Sequence, residues 1–350
     1  MAAMEPFKRE PKSNPESNNK RVAQSQAEQK PLSVIETLAS GFEAVLQQPW
    51  LVLIPLALDL FLWLAPQISV KPIFEQTLPT MLQALPPDAA PDTRASLEML
   101  KQLWQVAGDT LNLWGILATG IPSIVGMQSL AKDDARTIAL LVDNRATLLL
   151  VLGGLGGAAL AITTIYLEAV AWAVRRDTQP PAFMPRLVRA GADLAVLVVL
   201  VLIGMFLLIL PLTLGATLVS LVSQGLGSFI IFGTMLLLMW VGLYLTFTIP
   251  AIFAGRLNAP QAILTSVSVF RFDFWSAMAL IFLMYIIRAG FTFVWQFLAS
   301  NPWGIVFDVI ANAFIGSGLM AAAMVFYQDR VNWMAIVRER LRQQQTRGKS

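Results

Sequence analysis

Four ionisable side chains, Asp59, Glu168, Arg288 and Asp308, fall inside otherwise apolar runs of the sequence. At the centre of a membrane helix such a group costs about 2.5–3.5 kcal/mol, so these residues are the first candidates for chemistry. Arg288 and Asp308 or Asp59 are of opposite charge, and an extended Arg side chain can bridge their expected difference in depth. An intramembrane ion pair of this kind serves either as a clamp between helices, the plainer reading, or as a gate or anionic-substrate site. Glu168 reads as a headgroup-level carboxylate paired with Arg175 or Arg176. The sequence contains no His and no Cys, which removes disulfides, thiol nucleophiles, imidazole bases and zinc-finger ligands. Gly153, Gly154, Gly156 and Gly157 do not follow a strand, so a dinucleotide loop is a poor reading of them. No catalytic, cofactor-binding or metal-ligating residue stands out, and the chain reads as a protein that is not an enzyme and needs no cofactor.

The elements that must position these groups are spanning helices. Of 350 residues, 56% are hydrophobic and 13% charged, with a mean hydropathy of +0.63. Soluble chains carry roughly 25% charged residues, so the natural solvent for this excess of apolar surface is a bilayer. A spanning helix needs about 20 apolar residues. Five clear runs meet that need, at 147–174, 194–222, 226–254, 274–298 and 305–327, and a shorter one covers 50–64 with Pro55 and Asp59 inside it. The expected fold is all-α, a polytopic membrane protein of six transmembrane helices in three hairpins. Residues 31–335 form the membrane domain, 1–30 a disordered cytoplasmic tail and 336–350 a basic cytoplasmic tail, with an outer loop at 66–146. Within that loop the uncharged run 111–130 is broken by Gly115, Gly120, Pro122 and Gly126. It reads as interfacial or partly re-entrant, because counting it as a span would reverse every charged loop after it.

Arginines fix the expected orientation. Arg175, Arg176, Arg186 and Arg189 lie between the second and third runs, Arg256 and Arg271 between the fourth and fifth, and a basic cluster follows the sixth. Short Lys- and Arg-rich loops stay in the cytoplasm, so both termini are expected there, in a prokaryotic plasma membrane. Trp50, Trp63, Trp172, Trp275, Trp303 and Trp333 sit at run edges, as an interfacial belt requires. Each hairpin is preceded by a short amphipathic segment: Leu32 to Leu46 after Pro31, Phe183 to Val188, and Ile263 to Phe270 after Pro260. The four glycines from Gly153 to Gly157 are expected to let helix backbones approach closely. The implied partners are the lipid bilayer and a membrane protein or a second copy of the chain; nucleic acid is not implied.

The approach to the first run, Gly41 and Phe42 followed by Gln48, Pro49, Trp50 and Leu51, resembles the start of a broad class of uncharacterised prokaryotic six-span membrane proteins. Ser266 to Val269 and Arg271 to Trp275 carry the same resemblance. That class is similar to the membrane domain attached to some glycerophosphodiester phosphodiesterases, whose catalytic domain has no counterpart here. The resemblance implies a membrane module without catalytic residues. The leading expectation is a non-enzymatic accessory or scaffold subunit, and the alternative is a small-molecule or ion transporter using the Arg288 pair.

Overall fold

A computed structural model describes residues 30–83, 91–123, 139–175, 183–298 and 302–347. Among the described residues, five helices are long and apolar enough to cross a bilayer, and a bent pair makes a sixth if it counts as one span. The protein is therefore an all-α polytopic membrane protein. Residues 1–29 of the expected tail at 1–30, Arg176 and residues 124–138 fall outside the described residues.

Helix α1 (Val34–Gln47) starts in a capping box. The Ser33 hydroxyl accepts from the Glu36 N–H at 3.3 Å, and the Glu36 carboxylate accepts from the Ser33 N–H at 2.8 Å. That backbone hydrogen bond holds the Glu36 pKa below the usual carboxylate range. Pro49 cannot continue the helix hydrogen-bond ladder. The chain turns there into a 3₁₀ turn, Pro49–Val52, and then α2 (Leu53–Leu64), a bend of 93°. With 12 residues, α2 is about 18 Å long, shorter than the roughly 30 Å hydrocarbon core of a bilayer.

Beyond α2, a strand β1 (Gln67–Ser69) leads into α3 (Lys71–Gln83) and α4 (Pro91–Thr110), which meet through Phe74 and Trp104 with ring centroids 5.3 Å apart. A 3₁₀ turn, Leu113–Ala118, follows, and β2 (Ala139–Leu141) pairs in parallel with β1, Ile68 opposite Leu140. The long apolar helices are α5 (Arg145–Arg175), α6 (Phe183–Ser220) and α7 (Gln224–Leu245), the last extended by α8 (Thr248–Phe253). After α9 (Ala259–Phe272) come α10 (Phe274–Leu298) and α11 (Pro302–Arg347).

Two of the three expected amphipathic lead-in segments are helices of their own, α1 and α9. The third is not. Residues 183–190 form the first turns of the continuous 38-residue α6, because Pro185 sits in the first turn, where its missing N–H costs nothing, and Gly191, before the apolar run, does not interrupt the helix. Pro211 also lies inside α6 rather than ending it. Pro250 does break the ladder: its ring excludes the bond to the Thr246 carbonyl. Ser266 of α9 mends the gap, donating its hydroxyl to the Tyr244 carbonyl at 2.6 Å and accepting from the Phe247 N–H at 3.1 Å.

The tightest packing joins α1 to α11. A Cβ added to Gly41 would stand 2.4 Å from the Ala322 nitrogen, and one added to Gly318 would stand 2.4 Å from the Phe42 ring. Small residues on both helices thus let the backbones approach closely, as membrane interfaces require. One end of this contact is locked by Arg330, whose residue is 2% exposed. Its Nε donates to Asp273 at 2.7 Å, one terminal nitrogen donates to Asp329, and the other donates to the Leu32 carbonyl at 3.0 Å. Asp329 in turn accepts from the Leu32 N–H at 3.1 Å, and the guanidinium lies 4.5 Å from the Phe326 ring centre. A single guanidinium so ties the start of α1, the α9–α10 junction and α11 together.

Removing one member of a buried ion pair strands the other. The Asp273 and Asp329 side chains retain 27% and 22% exposure, which moderates the penalty, so Arg330→Ala is expected to cost about 3 kcal/mol. The check is thermal unfolding of the detergent-purified protein; an unchanged midpoint would show that the three segments are held by packing alone. For Ser266→Ala, loss of two hydrogen bonds at the helix break is expected to cost about 1–3 kcal/mol, read in the same assay.

Candidate functional site

Because α2 is short, the space beyond its end is filled from the following segment. The Trp114 indole donates to the Pro66 carbonyl at 2.8 Å and packs edge-on against Phe61 of α2 at 5.1 Å. Asn112 caps the 3₁₀ turn, its side-chain oxygen accepting from the N–H groups of Trp114 at 3.2 Å and Ile68 at 3.1 Å. Residues 119–123 then run between the long helices as irregular backbone. Gly120 takes φ +86, a left-handed conformation open to glycine, and a Cβ there would stand 2.8 Å from the Thr163 methyl. The Thr163 hydroxyl donates to the Thr119 carbonyl at 2.7 Å. Pro122 lies on Gly316, where an added Cβ would stand 2.0 Å from the proline ring. Gly316 is the central residue of the apolar run 305–327, so this segment re-enters the bundle to about half its depth. Irregular backbone at such a depth is tolerated where protein surrounds it or where it lines a cavity.

Both conditions hold here. A cavity of about 500 Å³ lies between this segment, α10 and α11, lined among others by Thr119, Gly120, Ser123, Tyr285, Arg288 and Gly316. Ser123 stands on its wall, and behind that wall its hydroxyl donates to Asp59, a residue with 0% exposure. Asp308, 8% exposed, lies within electrostatic range of Asp59. Its Oδ1 and the Asn312 amide nitrogen one turn further along α11 are buried and have no hydrogen-bond partner among the described residues.

The expected ion pair joins Arg288 to Asp308 or Asp59. Among the described residues Asp308 lies within electrostatic range of Asp59, and its Oδ1 accepts no hydrogen bond. Arg288 stands on the cavity wall beside Ser123, whose hydroxyl reaches Asp59. Ser123 and Gly316 are the residues that sequence reasoning missed. The Gly-Pro interruptions of the run 111–130 signalled irregular backbone, but nothing local marked Ser123 as the partner of Asp59.

Glu168, 3% exposed, is paired as expected with Arg175, at 2.8 Å, and also meets Arg186 of the next helix at 3.4 Å. The glycines require a correction. A Cβ placed on Gly153, Gly154, Gly156 or Gly157 meets nothing within 4 Å. They bring no described residue of this chain close to α5; Leu148, Val151 and Leu155 of the same turns pack on the core, and the glycines face away from it. Among the described residues no group of three or more acidic or metal-binding side chains could hold a metal ion.

The fold and this site define an integral membrane protein with a cavity built from a re-entrant segment and two spanning helices. No family model, curated protein or solved structure matches the chain.

Gly316→Ala is expected to push Pro122 off α11 and to destabilise the protein by about 1–3 kcal/mol through overpacking. Gly153→Ala, facing open space, should leave the melting midpoint within error. Equal effects of the two substitutions would contradict the placement of residues 119–123 against α11.

Proposed function

We propose that the protein is a plasma-membrane solute-binding protein of the transport class, which takes a small anionic solute into the cavity beside Arg288. The observation that carries this reading is the cavity itself: about 500 Å³, reached by a guanidinium and walled by irregular backbone at mid-bundle depth. Transporters build substrate sites from such interrupted segments near the bilayer midplane, and charged residues at membrane depth mark solute paths more often than chance placement would. Arg288 supplies the positive charge, Ser123 and the 119–123 backbone supply polar contacts, and the buried Asp59 orients Ser123. Asp308 and Asn312, with unused polar atoms close by, would let a proton or a small cation accompany the solute.

A second reading, a non-enzymatic accessory subunit, is favoured by one observation, the outward-facing glycines of α5 with open space over them. They would admit a helix of a partner membrane protein or of a second copy. Stoichiometric co-purification of one membrane protein from native membranes, lost in Gly154→Leu, would move the assignment to that reading.

The solute-binding reading is tested by thermal shift of the purified protein against a panel of small organic and inorganic anions. At least one anion should raise the midpoint by several degrees in the native protein and not in Arg288→Ala. No response, or an equal response in the variant, would overturn it. The proposed orientation, both termini in the cytoplasm, follows from the arginine-rich links. Because the chain has no cysteine, single substitutions report without background. Gln345→Cys should react with an impermeant maleimide only after the membrane is opened, and Ser223→Cys in intact cells; the reverse pattern would invert the topology.

A further inference from the structure

At the arginine-rich end of the bundle, a second cavity of about 370 Å³ lies between α5, α6 and the turn after α8. Arg186, Arg189 and Arg256 stand on its wall together with Glu168 and Asp193, and Arg175 lies behind Glu168 at 2.8 Å. Among the described residues, four guanidinium groups thus share the site with two carboxylates, and each carboxylate already has work within the fold. Glu168 holds Arg175 and Arg186 together across α5 and α6. Asp193 lies 4.0 Å from Arg189 and accepts the Ala259 N–H at 3.4 Å, at the start of α9. The side chains of Arg175, Arg186 and Glu168 are 7%, 17% and 4% exposed, whereas Arg189 and Arg256 are exposed, so the positive charge runs from a partly desolvated wall, where a charge-assisted contact is strong, out to the open rim.

Arg256 adds an independent observation. It is the single non-glycine residue with a positive φ among the described residues, at 56°. The bonds from the Leu257 N–H to the Ala251 carbonyl at 3.2 Å and from the Gly255 N–H to the Pro250 carbonyl at 3.2 Å close the end of α8 around it. This is the left-handed position after a helix, where glycine is the favoured residue. A glycine stands immediately before it, at Gly255, held there by close approach to the Tyr327 hydroxyl, 2.6 Å from an added Cβ. An Arg kept in a conformation that suits Gly points to a use for its side chain, and the use on the page is the cavity it lines.

We infer that this cavity binds the phosphate of an anionic phospholipid from the adjoining leaflet, with Arg256, Arg189 and Arg186 as its donors. Guanidinium forks match phosphate oxygens, and basic pockets between spanning helices on the cytoplasmic side are a recurrent setting for acidic headgroups. A lipid is favoured over a soluble phosphate compound because the rim continues into exposed apolar surface on the same turns of α6. Met184 is 65% and Val188 66% exposed there, in position to lie along acyl chains.

The test is native mass spectrometry of the full chain in detergent, titrated with phosphatidylglycerol or phosphatidylcholine, with glycerol phosphate as the soluble competitor. Arg256→Gly keeps the turn that the backbone requires and removes the charge; Arg271→Ala removes a charge from an exposed site on α9 away from this cavity. Phosphatidylglycerol is expected to be retained preferentially, to weaken on the order of five-fold in Arg256→Gly, and to be unchanged in Arg271→Ala. Equal retention of the two lipids, or equal loss in the two variants, would reduce the effect to general charge and overturn the inference. Displacement of the lipid by millimolar glycerol phosphate would assign the pocket to a soluble phosphate compound and overturn the lipid part.

Discussion

The fold depends on how one buried guanidinium is satisfied. Arg330 gives its donors to Asp273, Asp329 and the Leu32 carbonyl, groups that belong to three separate stretches of chain. Withdrawing an arginine from water is costly unless nearly all its donors find acceptors, so the arrangement is close to all or nothing. Once the start of α1 is fixed there, Gly41 and Phe42 fall opposite Ala322 and Gly318. The 93° bend at Pro49 then sets the direction of α2. The position of Asp59 is thus inherited from a contact at the other end of α1.

The cavity beside Arg288 follows from the same chain of constraints. A helix too short to fill the bilayer leaves a gap, and the segment after it folds back to fill that gap imperfectly. Polar backbone brought to this depth needs partners, and Thr163 and Ser123 provide side-chain hydroxyls at the two places where the segment touches α5 and Asp59. What remains unfilled is a polar-walled space against Arg288. The short helix, the re-entrant segment and the cavity are one feature seen at three scales.

Much of this was legible before the coordinates. Apolar runs of about 20 residues have one solution in lipid, so α5, α6, α7, α10 and α11 could be read directly, and Pro31 with the Leu32–Leu46 periodicity marked α1. The misreadings share a cause. The glycines of α5 and the segment before α6 were interpreted from local pattern, whereas their role depends on what lies opposite them, which spacing does not encode. Arg330 read as one more basic residue after a span, because burial of its guanidinium requires Asp273, 57 residues away. The pairing of Asp59 with Ser123, 64 residues apart, was hidden in the same way.

Helix α11 runs uninterrupted for 46 residues and carries Asp308, Gly316, Gly318, Ala322 and Arg330 on one rigid body. Each residue added to a helix rotates everything beyond it by about 100°. A one-residue insertion between Ala322 and Arg330 would therefore swing the guanidinium away from Asp273 and Leu32 while leaving the cavity wall in place. The same insertion after Met334, beyond which the described residues of α11 are half-exposed or exposed, would displace nothing packed. Tolerance to changes in length should accordingly switch sharply along this helix, with the boundary set by the last buried layer rather than by the edge of the membrane.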